Sequence, residues 1–226
     1  MLVASEQWRN AFPGAAVGML LMHHVANPSS HPALDGRKIE LVQQLRARFA
    51  GQSRATLKQL PTMQAYGAYF GGFGKTYHVL LQLESVALKG KPIPRVATLV
   101  EAMFMAELTN GLLTAGHDLE AMQPPVRVDV SAGGERYTLL NGNEQTLTTG
   151  DMFMADGQGV ISSVLFGPDR RTRIQPDTKS VVFAVYAPAG IGADAVSRHL
   201  QDIRDHVLLF APQAQVAALE VLPAGA

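Results

Sequence analysis

The stretch "QPPVRVDV", Gln123 to Val130, decides the fold class of this chain of 226 residues. Before it, apolar residues recur at three- and four-residue spacing, which is typical of amphipathic helices, whereas after it they alternate with polar residues, as in half-buried strands. Helices, then strands, then one more helix predict an α+β fold with helices packed on a largely antiparallel β-sheet system. The same order argues against repeated βαβ units.

The half of the chain before this stretch contains one predicted strand and four predicted helices. The apolar run "AAVGMLLMHHV" has the length of a buried strand. We expect one helix to be capped by Asp35 and to carry one apolar face of Ile39, Val42, Leu45 and Phe49. A second helix is expected to begin at Pro61, and a third to run through "YHVLLQLESVALKG". The fourth begins at a capping box made by Thr98 and Glu101.

The half after this stretch predicts strands and a closing helix. "GERYTLLNGNEQTL" is typical of a hairpin on an Asn141-Gly142 turn, and "DMFMAD", "VISSVLF" and "SVVFAVYAP" come next as strands. The last helix buries one stripe, consisting of Val196, Leu200, Ile203 and Val207. Since no repeat or long linker interrupts the chain, we expect a single domain over residues 1–226.

Composition narrows the function classes. With net charge zero and a pI of about 7.1, the chain has no global positive field to attract nucleic acid, so DNA binding is not expected and any RNA contact must come from a local patch. The absence of cysteine excludes disulfides, thiolate nucleophiles and zinc–thiolate sites. The run "GAAVGMLLM" is too short to span a bilayer and lacks signal-peptide features, so we expect a cytoplasmic protein with no membrane contact.

Two motifs point away from cofactors. "YFGGFGKT" resembles a phosphate-binding loop, but Tyr69 stands where the first glycine belongs and the segment comes after a helical pattern, so helix termination explains it better. His23 and His24 are adjacent, and on a strand adjacent side chains point to opposite faces. We therefore expect no bound metal and no cofactor.

The stretch "TAGHD", which ends with His117 and Asp118, allows two interpretations. It is half of a catalytic dyad, or else Gly116 ends a helix or forms a turn and Asp118 caps the next segment of the chain. A histidine and its orienting carboxylate must meet side chain to side chain, which sequence neighbours rarely do. The residues alone therefore favour the structural interpretation.

Two further clusters are candidates for binding. "DRRTR", Asp169 to Arg173, is a compact basic cluster that serves either as a solvated loop or as a phosphate contact. Ser162 and Ser163 lie within a predicted strand and point to opposite faces, so one of them is buried with a partner or lines a pocket.

The ordered run from "LVEAMFMAELTNGLLTAGHD" through "VRVDV" to "ISSVLF" resembles the B3/B4 domain of the phenylalanyl-tRNA synthetase beta subunit. The flanks "FPGAAVGMLLMHHVAN" and "RTRIQPDTKSVVFAVYAPAGI" are similar to free-standing members of the B3/4 family. The resemblance covers about Phe12 to Phe210. It implies an α+β fold and a pocket between the Thr109-Asn110 region and the sheet. In the synthetase, this pocket hydrolyses the ester bond between the phenylalanine tRNA and a wrongly attached tyrosine.

The resemblance transfers the pocket residues unevenly. Thr109 and Asn110 match the family's Thr-Asn pair, and Gly167 matches a pocket glycine. The family's pocket histidine falls at Ala115, and the glutamate that reads the tyrosine hydroxyl falls at Ala184. A buried hydroxyl without its acceptor costs roughly 1–3 kcal/mol, enough to erase a preference for tyrosine.

The resemblance implies two main functions. The first is hydrolysis of mischarged aminoacyl-tRNA in trans, with Asn110 and His117 as catalytic candidates and tRNA as the partner. The second is a non-catalytic module that binds RNA or an amino-acid-like small ligand; a vestigial pocket in an interaction protein is a third option. The expected ligand pocket consists of Thr109, Asn110, Thr114, Ser162, Ser163 and Gly167. The expected contacts to RNA phosphates are Arg170, Arg171 and Arg173.

Overall fold

The computed structural model describes residues 2–225, which form α-helices and β-strands in a mixed order. The helices are α1 (Glu6–Ala11), α2 (Pro32–Arg48), α3 (Arg54–Leu57), α4 (Pro61–Gly71), α5 (His78–Leu83), α6 (Thr98–Asn110) and α7 (Ala193–Leu208). The strands before the midpoint are β1 (Leu2–Ala4) and β2 (Ala16–His23). The later strands are β3 (Leu113–Asp118), β4 (Val126–Val130), β5 (Arg136–Thr138), β6 (Glu144–Thr146), β7 (Met152–Asp156), β8 (Gly159–Ser163), β9 (Gly167–Pro168), β10 (Ser180–Ala187) and β11 (Gln215–Pro223). A π-helical segment, Glu84–Leu88, continues α5.

The strands form two larger sheets and one hairpin. A four-stranded sheet has the order β11-β2-β10-β3 and is antiparallel throughout, whereas a five-stranded sheet has the order β1-β4-β7-β8-β9 with only β1 and β4 parallel. The hairpin pairs β5 with β6. This architecture confirms the predicted α+β class with a largely antiparallel sheet system.

The four-stranded sheet lies between α7 and the five-stranded sheet. Gly18 on β2 faces Val196 and Leu200 of α7, and the hydroxyl of Tyr186 on β10 bonds to that of Ser162 on the five-stranded sheet. Because both faces are covered, β2 is a continuous apolar run and not an alternating one. The apolar run in the sequence predicted this buried strand correctly.

The start of α2 and the burial of Ile39 differ from the prediction. His31 is the N-cap, since its Nδ1 accepts from the N–H of Ala33 at 3.3 Å. Asp35 sits one turn later and pairs with Lys38 at 2.7 Å. Of the predicted apolar face, Leu45 and Phe49 are buried and Val42 is partly buried, as expected. Ile39 is instead 62% exposed, because the first turns of α2 are buried through Leu34 and Leu41.

The capping box predicted for α6 forms only in part. Glu101 accepts from the N–H of Val96 at 2.9 Å, as expected of its carboxylate. Thr98, however, donates its hydroxyl to Asn27 Oδ1, and this same oxygen accepts from the N–H of Leu99 at 3.1 Å. A distant asparagine therefore caps α6 in place of its own threonine.

The buried stripe of the closing helix was predicted, whereas the last strand was not. All four residues predicted for the buried stripe of α7 are buried, which confirms its phase. Strand β11 was missed, although it pairs with β2 along most of its length. Strand β1 was also missed, because three residues are too short for any periodicity to be visible.

The contact between α7 and β2 predicts a matched pair of stability effects. A Cβ at Gly18 would lie 3.0 Å from Leu200 Cδ1 and closer still to Val196, so Gly18→Ala is expected to destabilise the protein by about 1–3 kcal/mol. At Gly36, within α2, nothing lies within 4 Å of the added carbon. Gly36→Ala is therefore expected to stabilise it by about 0.4–1 kcal/mol. Urea unfolding measures both, and equal effects would contradict the packing described.

Candidate ligand site

A cavity lies where α6 ends. Gly111 terminates the helix with φ of 74°, and a Cβ there would lie 2.6 Å from the Thr62 hydroxyl oxygen, so this turn requires glycine. The resulting space, which we call the α6 cavity, has a volume of about 330 Å³, near the lower end of the roughly 300–1,000 Å³ seen for small-molecule sites. Its lining consists of Arg48, Phe49, Leu60, Pro61, Thr62, Met63, Leu83, Leu108, Thr109, Asn110 and Gly111.

Asn110 is held rigidly at this cavity by two residues of α7. Its Nδ2 donates to Asp202 Oδ2 at 2.8 Å and to His199 Nδ1 at 3.2 Å. Since Nδ1 of His199 accepts, its Nε2 carries the proton and donates to the Thr114 hydroxyl at 2.7 Å. The chain Thr114–His199–Asn110–Asp202 thus fixes the amide plane of Asn110.

Two buried ionisable groups next to this chain are held neutral. Burial lowers the pKa of His199 to about 3, so its ring is uncharged at neutral pH. Burial also raises the pKa of Glu107 to about 8, although its Oε1 accepts from the N–H of Thr114 at 2.8 Å. At neutral pH, His199 and Glu107 are therefore largely uncharged, and they serve to orient the side chains around Asn110.

His117 lies in a closed environment on strand β3. Its ring is fully buried, and Nδ1 donates to the Thr172 hydroxyl at 2.8 Å, because that hydroxyl itself donates to Asp169. Nε2 has no hydrogen-bond partner among residues 2–225. Burial, with the positive charge of Arg171, lowers the pKa of His117 to about 4. The ring does not reach the α6 cavity, so its surroundings give no support to the predicted catalytic role.

The structural interpretation of Gly116 and Asp118 needs one correction. Gly116 neither ends a helix nor forms a turn: it lies within β3, where a Cβ would meet Ile174 Cδ1 at 2.6 Å. Helix α6 ends five residues earlier, at Gly111. Asp118 caps the next turn as expected, since its Oδ1 accepts from the N–H of Glu120 at 2.9 Å.

Ser162, Ser163 and Gly167 form a separate group on the five-stranded sheet. Ser162 bonds to the Tyr186 hydroxyl, and Ser163 accepts from the N–H of Phe166 at 3.1 Å. The carbonyl of Gly167 accepts from the Tyr137 hydroxyl at 2.8 Å. Both serines are buried, and none of the three lines the α6 cavity.

The segment Arg170–Arg173, which we call the arginine loop, is largely engaged within the protein. Arg171 forms a bidentate pair with Asp156, both contacts at 2.9 Å. Arg173 donates to the carbonyl of Arg170 at 2.7 Å, which leaves Arg170 as the most exposed of the three. The loop lies beside His117, at the opposite end of β3 from Asn110. The predicted contact with RNA phosphates stays a prediction.

The sequence missed the partners that position the predicted residues. His199 and Asp202 lie three residues apart on α7, so they share a face, and His199 interrupts the apolar stripe of that helix. A histidine in such a stripe was the available signal. Asp151 was also missed: it is buried under the Tyr69 hydroxyl, which donates at 2.7 Å, and burial raises its pKa to about 6.

Comparison with known proteins identifies the family. The model of the B3/4 domain family matches residues 63–207, so this chain belongs to the B3/4 domain family. A crystal structure of an N-terminal fragment of the phenylalanyl-tRNA synthetase beta subunit from Pyrococcus horikoshii has a similar fold, with a TM-score of 0.51 and 11% identity. The match covers 99% of this chain and 54% of that fragment, so the chain spans about half of its length. No curated protein matches significantly.

The two alanines that the resemblance places at polar positions of the family are direct neighbours. Ala115 on β3 pairs with Ala184 on β10 in the antiparallel register, and both side chains are buried. At this place the structure has two buried alanines opposite each other on neighbouring strands, where the resemblance would put a histidine and a glutamate. Both polar side chains that the resemblance implies are thus replaced by alanine.

Two further features of the described part of the chain bear on its partners. Within residues 2–225, no three histidine, cysteine, aspartate or glutamate side chains come together as metal ligands. No helix in this part combines the length and apolarity that crossing a bilayer demands.

The buried histidines predict a pH effect on stability. In the unfolded chain His199 binds a proton below about pH 6.5, whereas in the folded protein it stays neutral down to about pH 3. The unfolding free energy of wild type minus that of His199→Gln is therefore expected to decrease as the pH falls below 6.5, by up to about 1.4 kcal/mol per pH unit. Urea unfolding between pH 7 and pH 4 measures this difference.

The control for this experiment is Gln44→Ala, at an exposed position of α2 that carries no titratable group. The difference between wild type and this control is expected to stay constant with pH. If the His199→Gln difference is equally constant, then the neutral, buried state assigned to His199 is wrong.

Proposed function

We propose that this protein binds the aminoacylated 3′ end of a tRNA and receives the aminoacyl group in the α6 cavity. The observation that supports this most is the rigid placement of Asn110 at the cavity by His199 and Asp202. A group held by two partners is oriented before the ligand arrives, so little entropy is lost on binding. Membership of the B3/4 domain family supplies the link to tRNA.

The chemistry of the cavity suits an aminoacyl ester. Both protons of Asn110 Nδ2 are used by α7, which leaves the amide oxygen Oδ1 as the group to accept from the α-ammonium of an aminoacyl ester. The apolar part of the lining, including Phe49, Leu83 and Leu108, contacts an amino-acid side chain. Arg48, on the same lining, lies where the phosphates of the terminal nucleotides approach.

Hydrolysis in trans is the activity that we propose for this complex. Water attacks the ester carbonyl, the bond to the ribose oxygen breaks, and that oxygen takes up the proton, so that the free amino acid and uncharged tRNA leave. The neighbouring ribose hydroxyl relays the proton, and the protein contributes position through Asn110. This route does not require a protein base.

A second candidate is a module that binds the same ligand without hydrolysis. The observation in its favour is the apolar pair Ala115 and Ala184, together with the closed environment of His117. An apolar site holds a ligand but offers little to activate water. In this form the protein protects or sequesters aminoacyl-tRNA.

Deacylation of a panel of aminoacyl-tRNAs, including mischarged phenylalanine tRNAs, tests the proposal. We expect wild type to exceed the spontaneous rate and Asn110→Ala to lose about tenfold or more of that activity. Asn10→Ala, at an exposed position of α1, is the matched control and should retain it. Loss of activity in a folded His117→Gln variant would restore the catalytic role predicted for His117.

Binding measurements decide between the two candidates. If no tRNA of the panel is hydrolysed but aminoacylated tRNA binds more tightly than the same uncharged tRNA, and Asn110→Ala removes the difference, then the binding module is correct. Equal affinity for charged and uncharged tRNA, with no hydrolysis, would overturn the assignment of the α6 cavity.

A further inference from the structure

The charges of this neutral chain are strongly segregated along its length. Residues 36–95 contain ten of the 19 lysines and arginines but only two of the 19 acidic residues, Glu40 and Glu84. The rest of the chain carries the compensating negative excess. A zero net charge therefore conceals one strongly basic region.

The positive charges of this region are mostly on the surface. The exposed ones are Arg46, Arg48, Arg54, Lys58, Lys75, Lys89, Lys91 and Arg95. Of the two acids, Glu40 pairs with Arg37 at 3.3 Å, and Glu84 is buried with its carboxylate between Arg54 and Lys89, at 3.5 and 2.8 Å. One carboxylate thus draws two cations together and neutralises only one of them.

The basic residues come together on one side of the fold. Helices α2 and α3 both pack against the π-helical segment that contains Glu84. Arg46 of α2 donates to the carbonyl of Gly90, which ties the loop after this segment to the same surface. We call this surface the basic face and define it by Arg46, Arg48, Arg54, Lys58, Lys89 and Lys91.

The basic face differs from the arginine loop in how its charges are compensated. Arg171 in the loop is matched by a bidentate contact to Asp156 and a further contact to Asp169 at 3.5 Å. On the basic face Arg54 and Lys89 share Glu84, whereas its other four cations form no ion pair within residues 2–225, namely Arg46, Arg48, Lys58 and Lys91. In the loop, two cations are left without one, Arg170 and Arg173. A surface with uncompensated charges attracts a polyanion more strongly than one whose cations are already paired.

We propose that the basic face binds the phosphate backbone of tRNA, in place of the arginine loop. This identification of the polyanion as tRNA rests on the proposed function. The geometric link is Arg48, which belongs to the basic face and also lines the α6 cavity together with Asn110. The 3′-terminal nucleotide thus enters at Arg48, and the preceding phosphates pass over α3 and the π-helical segment.

The shape of this face also fits RNA. Between α2 and the loop after Gly90 lies a second cavity of about 490 Å³, with Arg46 on its lining beside the apolar side chains of Val42 and Ile93. Arg95 and Asp35 also line it and form an ion pair at 3.1 Å, so Arg46 is the cation of this recess that we expect to meet a phosphate. Such a recess, with a cation next to an apolar wall, accepts an unpaired base with its phosphate, and protein recognition of RNA commonly uses unstacked bases.

The test uses uncharged tRNA and the salt dependence of its affinity, measured by fluorescence anisotropy from 50 to 300 mM KCl. The variant Arg48→Gln/Lys58→Gln/Lys91→Gln removes three charges that hold no other element in place. The slope of log Kd against log salt is expected to fall by about 2–3, at about 0.7–0.9 per lost phosphate contact, and binding at low salt should weaken by tenfold or more.

Two control variants keep the test specific. Arg136→Gln/Lys179→Gln/Arg198→Gln removes three exposed charges outside residues 36–95 and should leave the Kd within about twofold. Arg170→Gln/Arg173→Gln tests the arginine loop and leaves the Arg171 ion pairs in place. Circular dichroism and thermal unfolding establish that each variant is folded.

The outcomes separate this inference from the proposed function. An equal loss in the Arg136 control, a loss in the loop variant alone, or no tRNA binding at 50 mM KCl would overturn the inference. So would binding to phosphatidylserine vesicles through this face without binding to tRNA. Binding through the basic face with neither deacylation nor preference for charged tRNA would support the inference while the proposed function fails.

Discussion

The close approach of α7 to β2 is the constraint on which the candidate site depends. Gly18 has no side chain, so Val196 and Leu200 lie directly on the backbone of the strand. This contact sets the distance of α7 from the sheet and its rotation about its own axis. It therefore also sets the positions of His199 and Asp202, which lie on a neighbouring face of the helix. Asn110 is oriented by those two residues. Packing in the core thus determines the direction of a polar group at the surface of a cavity.

The sequence predicted those features of the fold that depend on a long periodic pattern. The stripe of α7 and the doubly buried strand β2 are examples, since each repeats one signal over many residues. The N-cap of α2 and the burial of Ile39 were predicted wrongly, because Asp35 and Ile39 match the helical pattern locally, whereas the side that is buried depends on which elements pack against it. The cap of α6 comes from Asn27, about 70 positions away, and no local pattern contains such a contact.

Of the six residues predicted for the pocket, Thr109 and Asn110 line the α6 cavity. Thr114 belongs to the network behind the cavity, whereas the other three residues lie on the five-stranded sheet. The connections within the site were not predicted. Asn110 and Thr114 were identified through a resemblance, yet the residue that joins them, His199, is 85 or more positions distant. The basic residues show the same limit. "DRRTR" is compact in sequence, so it stands out, whereas the basic face is assembled from α2, α3 and the π-helical segment with its loop, between residues 46 and 91. Proximity along the chain favoured the cluster whose central arginine, Arg171, is already paired with two aspartates.

The pairing of Ala115 with Ala184 has a consequence for how the protein family can change. These positions face each other across two strands in a sealed part of the core, so an ionisable side chain placed at one of them alone would be buried without a partner, and such a group is strongly destabilising. Substitutions at the two positions are therefore coupled: a polar side chain at either one needs a polar partner at the other to avoid this cost.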